Sequence, residues 1–84
     1  MNREELIHAL KLIISPYTTN QEAFGKLNEA TDFMRDLQIN SANLVDIVLD
    51  IEEKFDILIE NPDMERMLNV GAAVDIIESK LKDK

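Results

Sequence analysis

Few side chains in this sequence have the chemistry to act on another molecule. Ser41 offers a primary hydroxyl, Asp46, Asp50, Glu52 and Glu53 follow it with carboxylates, His8 is the sole imidazole, and there is no cysteine. A serine at a helix start is, taken alone, most simply a cap whose oxygen accepts from an orphan backbone amide. The carboxylates suit a hard divalent cation, but no D-x-D-x-D-G loop of the EF-hand type is present, so only loose binding that relieves repulsion is expected. His8 falls on the Glu4/Lys11 side of its segment, a solvated position with no second histidine to share a metal. Without an activated nucleophile, a metal-ligand cluster or a glycine loop to cradle phosphate, the sequence reads as a protein that is not an enzyme.

The elements that must position these groups follow from apolar spacing. Leu6, Ile7, Leu10, Ile13 and Ile14 recur at helical intervals over residues 3–14, with Asn2 and Glu5 set three apart as in a capping box. Pro16 ends that helix, because it lacks an amide hydrogen and turns its predecessor away from helical angles. A connecting region runs to about Leu37; within it residues 20–24 suit a helical turn that tucks Phe24 and Leu27 against the core, and Phe33 and Leu37 serve as later anchors. Leu44, Ile47, Val48, Ile51 and Phe55 form the stripe of a second helix over 42–55, whose other side is acidic. Residues 60–64 suit the first turn of a short third helix with Pro62 at its front, and Met64, Met67 and Leu68 are expected to face inward. Asn69 caps a last helix with the stripe Val70, Ala73, Val74, Ile77 and Leu81, ending among Lys80, Lys82 and Lys84. The class is all-α: a four-helix bundle of three longer helices and one short helix, in a single domain spanning 1–84.

Composition narrows the partners. A chain of 84 residues buries roughly 60–65% of its unfolded surface, enough for one small core but not for an enclosed catalytic cleft. Its apolar runs are too short for a transmembrane helix or a signal peptide, which places it in the cytoplasm without membrane insertion. The net charge of −8 argues against nucleic acid, which is held by clustered Lys and Arg. Residues 36–65 hold Asp36, Asp46, Asp50, Glu52, Glu53, Asp56, Glu60, Asp63 and Glu65 against Lys54 alone, so this stretch carries the whole imbalance and calls for basic partners.

The run from Asp36-Leu-Gln-Ile-Asn-Ser41-Ala-Asn-Leu-Val to Glu52-Glu-Lys-Phe-Asp56 resembles the acyl carrier protein signature, in which D-L-G-x-D-S-L precedes an acidic helix ending E-E-x-F. That run matches without a gap; beyond it Ile59 matches the family's later I, and Val70-Gly-Ala-Ala-Val-Asp-Ile-Ile77 matches the V-x-A-A-I-D-Y-I of its last helix. The matching covers roughly residues 30–80, with the first helix agreeing in character only. It implies that Ser41 receives a 4'-phosphopantetheine arm from coenzyme A, attached as a phosphodiester by a magnesium-dependent phosphopantetheinyl transferase, and that the arm's thiol holds the acyl group. A helix start suits this, since unpaired amides and the positive end of the helix dipole face the phosphate.

The resemblance further implies a partner-recognition face of Ala42, Val45, Asp46, Leu49, Asp50, Glu52 and Glu53, read by basic patches on acyl-activating, acyl-transfer or condensing enzymes. Val45 and Leu49 sit off the core stripe among acids, and such small apolar contacts in a charged rim speed encounter and release. An acyl pocket would be lined by Phe33, Val48, Ile51, Phe55, Ile59, Met67, Ala73 and Ile77, with the pliable thioethers of Met64 and Met67 letting it deform. The carrier is expected to be a monomer. Three positions depart from the pattern: Asn40 replaces an acid, Ala42 a leucine, and Gln38 a common glycine. They favour a dedicated carrier for a specialised lipid or polyketide-type pathway over a general fatty-acid carrier. The alternative is an acidic helical interaction module of the same fold that is never modified.

Overall fold

A computed structural model describes residues 2–83. The first helix, α1 (Arg3–Ile14), begins at Asn2, whose side chain accepts from the Glu5 amide at 2.8 Å. It buries Leu6, Leu10 and Ile14 completely, with Ile7 and Ile13 packed at the rim of the core. After Pro16 comes a single helical turn, α2 (Gln21–Gly25), capped by the Asn20 side chain on the Ala23 amide at 3.1 Å. Phe24 and Leu27 press on the core from this turn, as their spacing indicates, and the Lys11 ammonium lies 5.7 Å from the centre of the Phe24 ring.

The long acidic helix α3 (Ser41–Phe55) buries Leu44, Ile47, Val48, Ile51 and Phe55, and it stops at Asp56, whose φ of 54° is left-handed. The short α4 (Asn61–Arg66) carries Pro62 in its first turn, where a missing amide hydrogen costs nothing, and a capping box joins Glu60 and Asp63. The last helix, α5 (Val70–Lys82), starts at Asn69, which accepts from the Ala72 amide at 2.8 Å, and has Lys80 and Lys82 in its final turn. The expected three long helices and one short one are all present, joined by the extra turn of α2.

α1 packs against both α3 and α5, and α4 against α5. The buried stripes meet in one cluster that includes Phe33, Leu37, Ile39 and Met67, and each fully buried Leu, Ile or Phe contributes about 1.5–3 kcal/mol. Arg3 ties the start of α1 to α5 through Asp75 at 2.8 Å and through Glu78, and it also pairs with Glu29 of the long link. Asp63, nearly buried, accepts from Lys80 at 2.9 Å and from Arg66 at 2.7 Å, which fastens α4 to α5.

One inward expectation fails. Leu68 is 61% exposed. It lies outside both helices, in the link where Met67 turns into the core and the Leu68 carbonyl accepts from the Phe33 amide at 3.1 Å, so helical spacing no longer sets its direction. Beside it the segment 29–33 runs against the start of α5, with Val70 N donating to Thr31 O and Gly71 N to Glu29 O. A Cβ at position 71 would sit 3.0 Å from that Glu29 carbonyl, so a larger residue there would need the backbone contact to open by a few tenths of an ångström.

Candidate functional site

Ser41 is the first residue of α3, but it does not cap it. Asn40 holds the cap position in extended conformation, and its Oδ1 accepts from the Asn43 amide at 2.8 Å. The Ser41 side chain is exposed and has no hydrogen-bond partner among the described residues. Ahead of it the amides of Ser41 and Ala42 precede the first helical bond, which runs from Leu44 N to Asn40 O at 2.9 Å. An unengaged hydroxyl therefore sits on the first residue of a 15-residue helix, at its positive end, where the first two amides are orphan donors, with a neutral amide as its neighbour in place of a carboxylate. That donor set suits a phosphodiester on Ser41.

The irregular chain before Ser41 is fixed from two sides. The Thr18 hydroxyl, buried, donates to Leu37 O at 2.7 Å, and Asn20 Nδ2 donates to Asp36 O at 2.8 Å, so the α1–α2 link grips the approach to α3. Within the segment Asp32 accepts from the Met34 and Arg35 amides, Asp36 Oδ2 accepts from Asp32 N, and Ile39 N donates to Phe33 O. Gln38 is held at φ 58°, in the left-handed region where glycine is at ease and glutamine is strained. A glycine at that place in the resembling pattern has its physical reason here. Asn20 and Asp32 each stand three residues before an amide they accept from, a local pattern legible in sequence; Thr18 had no such signal, because its acceptor lies 19 residues away.

The outer side of α3 exposes Ala42, Val45 at 42%, Asp46, Leu49 at 56% and Glu53. Two members of the expected recognition face have further partners. Glu52 is half-buried, and its Oε2 accepts from Ile59 N at 2.7 Å, closing the link to α4. Asp50 is also half-buried and accepts from the Tyr17 hydroxyl at 3.0 Å, a bond that holds the phenol's proton and moves its pKa upward. Phe33, Val48, Ile51, Phe55, Ile59, Met67, Ala73 and Ile77 are all buried in the one core cluster. Surface clefts of ≈ 470, ≈ 420 and ≈ 320 Å³ are lined by other residues.

His8 is exposed on α1, and among the described residues no three His, Asp or Glu side chains converge to hold a metal ion. No described helix is long and apolar enough to cross a membrane. Fold and site together define a small all-α bundle whose acidic central helix opens on a free serine.

Comparison with known proteins puts that bundle in a family. The chain is 35% identical over 80 residues to the acyl carrier protein of Thermotoga maritima, covering 95% of this chain and 96% of the relative. It is 45% identical over 64 residues to that of an Exiguobacterium species, covering 71% and 81%. The solved structure of the acyl carrier protein from Enterococcus faecalis superposes with a TM-score of 0.77 at 31% identity, over 95% of this chain and 99% of that one. No family-level sequence model matches. The chain belongs to the acyl carrier protein family. Its general role is accordingly that of a carrier in acyl biosynthesis that works with acyl-handling enzymes, not that of an enzyme.

Proposed function

We propose that Ser41 is the attachment point of a 4'-phosphopantetheine arm, and that the protein is a dedicated carrier of acyl groups in a fatty-acid, specialised lipid or polyketide-type pathway of the cytoplasm. The observation that carries this is the division of labour at the start of α3: Asn40 does the capping, which leaves the Ser41 hydroxyl exposed and without a partner. A capping serine would have its oxygen occupied; this one is available to a transferase. When attached, the arm supplies the thiol on which acyl groups are held.

The chain's own residues bind and present. The amides of Ser41 and Ala42 and the dipole of α3 favour the phosphodiester charge. Ala42, Val45, Asp46, Leu49, Asp50 and Glu53 form the docking face for basic patches on the transferase and on acyl-activating, acyl-transfer and condensing enzymes, with Glu52 at its edge. The exposed Val45 and Leu49 supply the short-range contact and the acids the long-range attraction, a combination that gives fast, releasable encounters. An acyl chain would enter the core by parting Phe33, Val48, Ile51, Phe55, Ile59, Met67, Ala73 and Ile77, with flexible Met67 yielding first. The carrier acts as a monomer and as one domain.

The test is direct. Apo protein incubated with coenzyme A, magnesium and a broad-specificity phosphopantetheinyl transferase should gain one phosphopantetheinyl mass, and Ser41→Ala should gain none. An unmodified wild-type protein, or equal modification of Ser41→Ala, refutes the attachment and leaves the unmodified interaction module as the reading.

A further inference from the structure

Beside the docking face, the α1–α2 link presents one side chain that the carrier role as described leaves unused. Tyr17 follows the end of α1, and its amide donates to Ile14 O at 2.8 Å. The next residue, Thr18, is buried and bonded to Leu37 O, so the backbone beneath the phenol is anchored on both sides. The ring is half-buried and packs on the core. Its hydroxyl reaches 33 residues along the chain to donate to Asp50 Oδ2 at 3.0 Å.

We propose that Tyr17 is a positioning residue of the docking surface: its hydroxyl holds the Asp50 carboxylate in the orientation that a basic side chain on a partner enzyme meets, which extends the surface from α3 onto the α1–α2 link. The inference rests on the docking-face reading above. With Oδ2 engaged, Oδ1 of Asp50 has no hydrogen-bond partner among the described residues and is the oxygen left for a partner. A carboxylate fixed in advance loses less freedom on docking than one that samples its rotamers. The oxygen left open accepts one charge-assisted hydrogen bond from a cationic side chain of the partner. The phenol remains a donor at neutral pH, because its hydrogen bond to Asp50, its partial desolvation and the charges of Asp50 and Asp46 all hold its proton.

The experiment measures initial rates of coenzyme A-dependent modification of the apo protein by a broad-specificity phosphopantetheinyl transferase, over a range of carrier concentrations. Tyr17→Phe keeps the ring and its packing and removes only the hydroxyl. Its KM should rise about three- to tenfold with kcat unchanged, from the freedom Asp50 regains. Asp50→Asn should show a comparable rise, and the double variant no more than the larger single effect. Tyr17 is the sole tyrosine and there is no tryptophan, so phenolate absorbance reads the pair directly, and titration should move to lower pH in Asp50→Asn. A wild-type KM in Tyr17→Phe, fully additive effects, or a titration unmoved by Asp50→Asn overturns the inference. The docking face is tested apart, by Asp46→Lys and Glu53→Lys. If these raise KM while Tyr17→Phe does not, the face stands and only the role of Tyr17 falls; if they leave KM unchanged, both fall.

Discussion

Replacing Gln38 by glycine should stabilise this protein. Gln38 is held at φ 58° three residues before Ser41, between the bonds that fix Leu37 and Ile39. A residue bearing a Cβ is disfavoured there by about 1–2 kcal/mol. Glycine removes that strain but gives up about 0.5–1 kcal/mol through the greater freedom of the unfolded chain. The Gln38 side chain is exposed, and its amide oxygen lies 3.5 Å from the Thr19 hydroxyl, at the limit of a hydrogen bond, so little is lost with it. The net gain is about 0–1.5 kcal/mol, and its midpoint in a domain of this size raises the melting temperature by about 3–6 °C. Thermal unfolding followed by circular dichroism measures it, with Gln38→Ala as the control that discards the amide but keeps the Cβ. A melting temperature that falls in Gln38→Gly, or that rises equally in both variants, refutes strain as the cause.

The cap and the serine of α3 should separate in the same assay: Asn40→Ala loses about 1 kcal/mol of stability, while Ser41→Ala, whose oxygen is unbonded, stays within about 0.5 kcal/mol of wild type. Asp63 has a side chain only 13% exposed, and Asp63→Asn should cost about 1.5–3 kcal/mol through lost charged hydrogen bonds. Lys80, then Arg66, holds the Asp63 carboxyl below its ordinary value, so this stability is complete above the unfolded carboxyl's pKa and disappears as pH falls through the lower folded one. Melting curves taken from pH 5 downward should therefore converge for wild type and Asp63→Asn, and a constant gap would contradict the linkage. The same bond raises Lys80, so its share is complete below the free lysine's pKa and is lost as pH climbs through the higher folded value. Finally, salt or millimolar magnesium should raise the melting temperature by screening the acids of residues 36–65, and a flat titration would show that their repulsion is unimportant.

The sequence by itself determined the helices and the place of the serine. Apolar spacing is local information: residues three and four apart share a face whatever lies opposite, so the stripes of α1, α3 and α5 were legible, as were the caps at Asn2 and Asn69. The D-L-x-x-N-S run located Ser41 at a helix start, and the charge count gave α3 its acidic side. Tertiary structure alone decided what depends on segments distant in the chain. Spacing does not say that Asn40 rather than Ser41 caps α3, which frees the hydroxyl, because either residue type fits the cap and only the extended backbone at Asn40 tells them apart. Nor does it say that Glu52 closes the link to α4 or that Tyr17 binds Asp50. Leu68 turns to solvent for the same reason: between helices the chain follows its long-range bonds, here the one to Phe33, and the helical period that predicts a direction has ended.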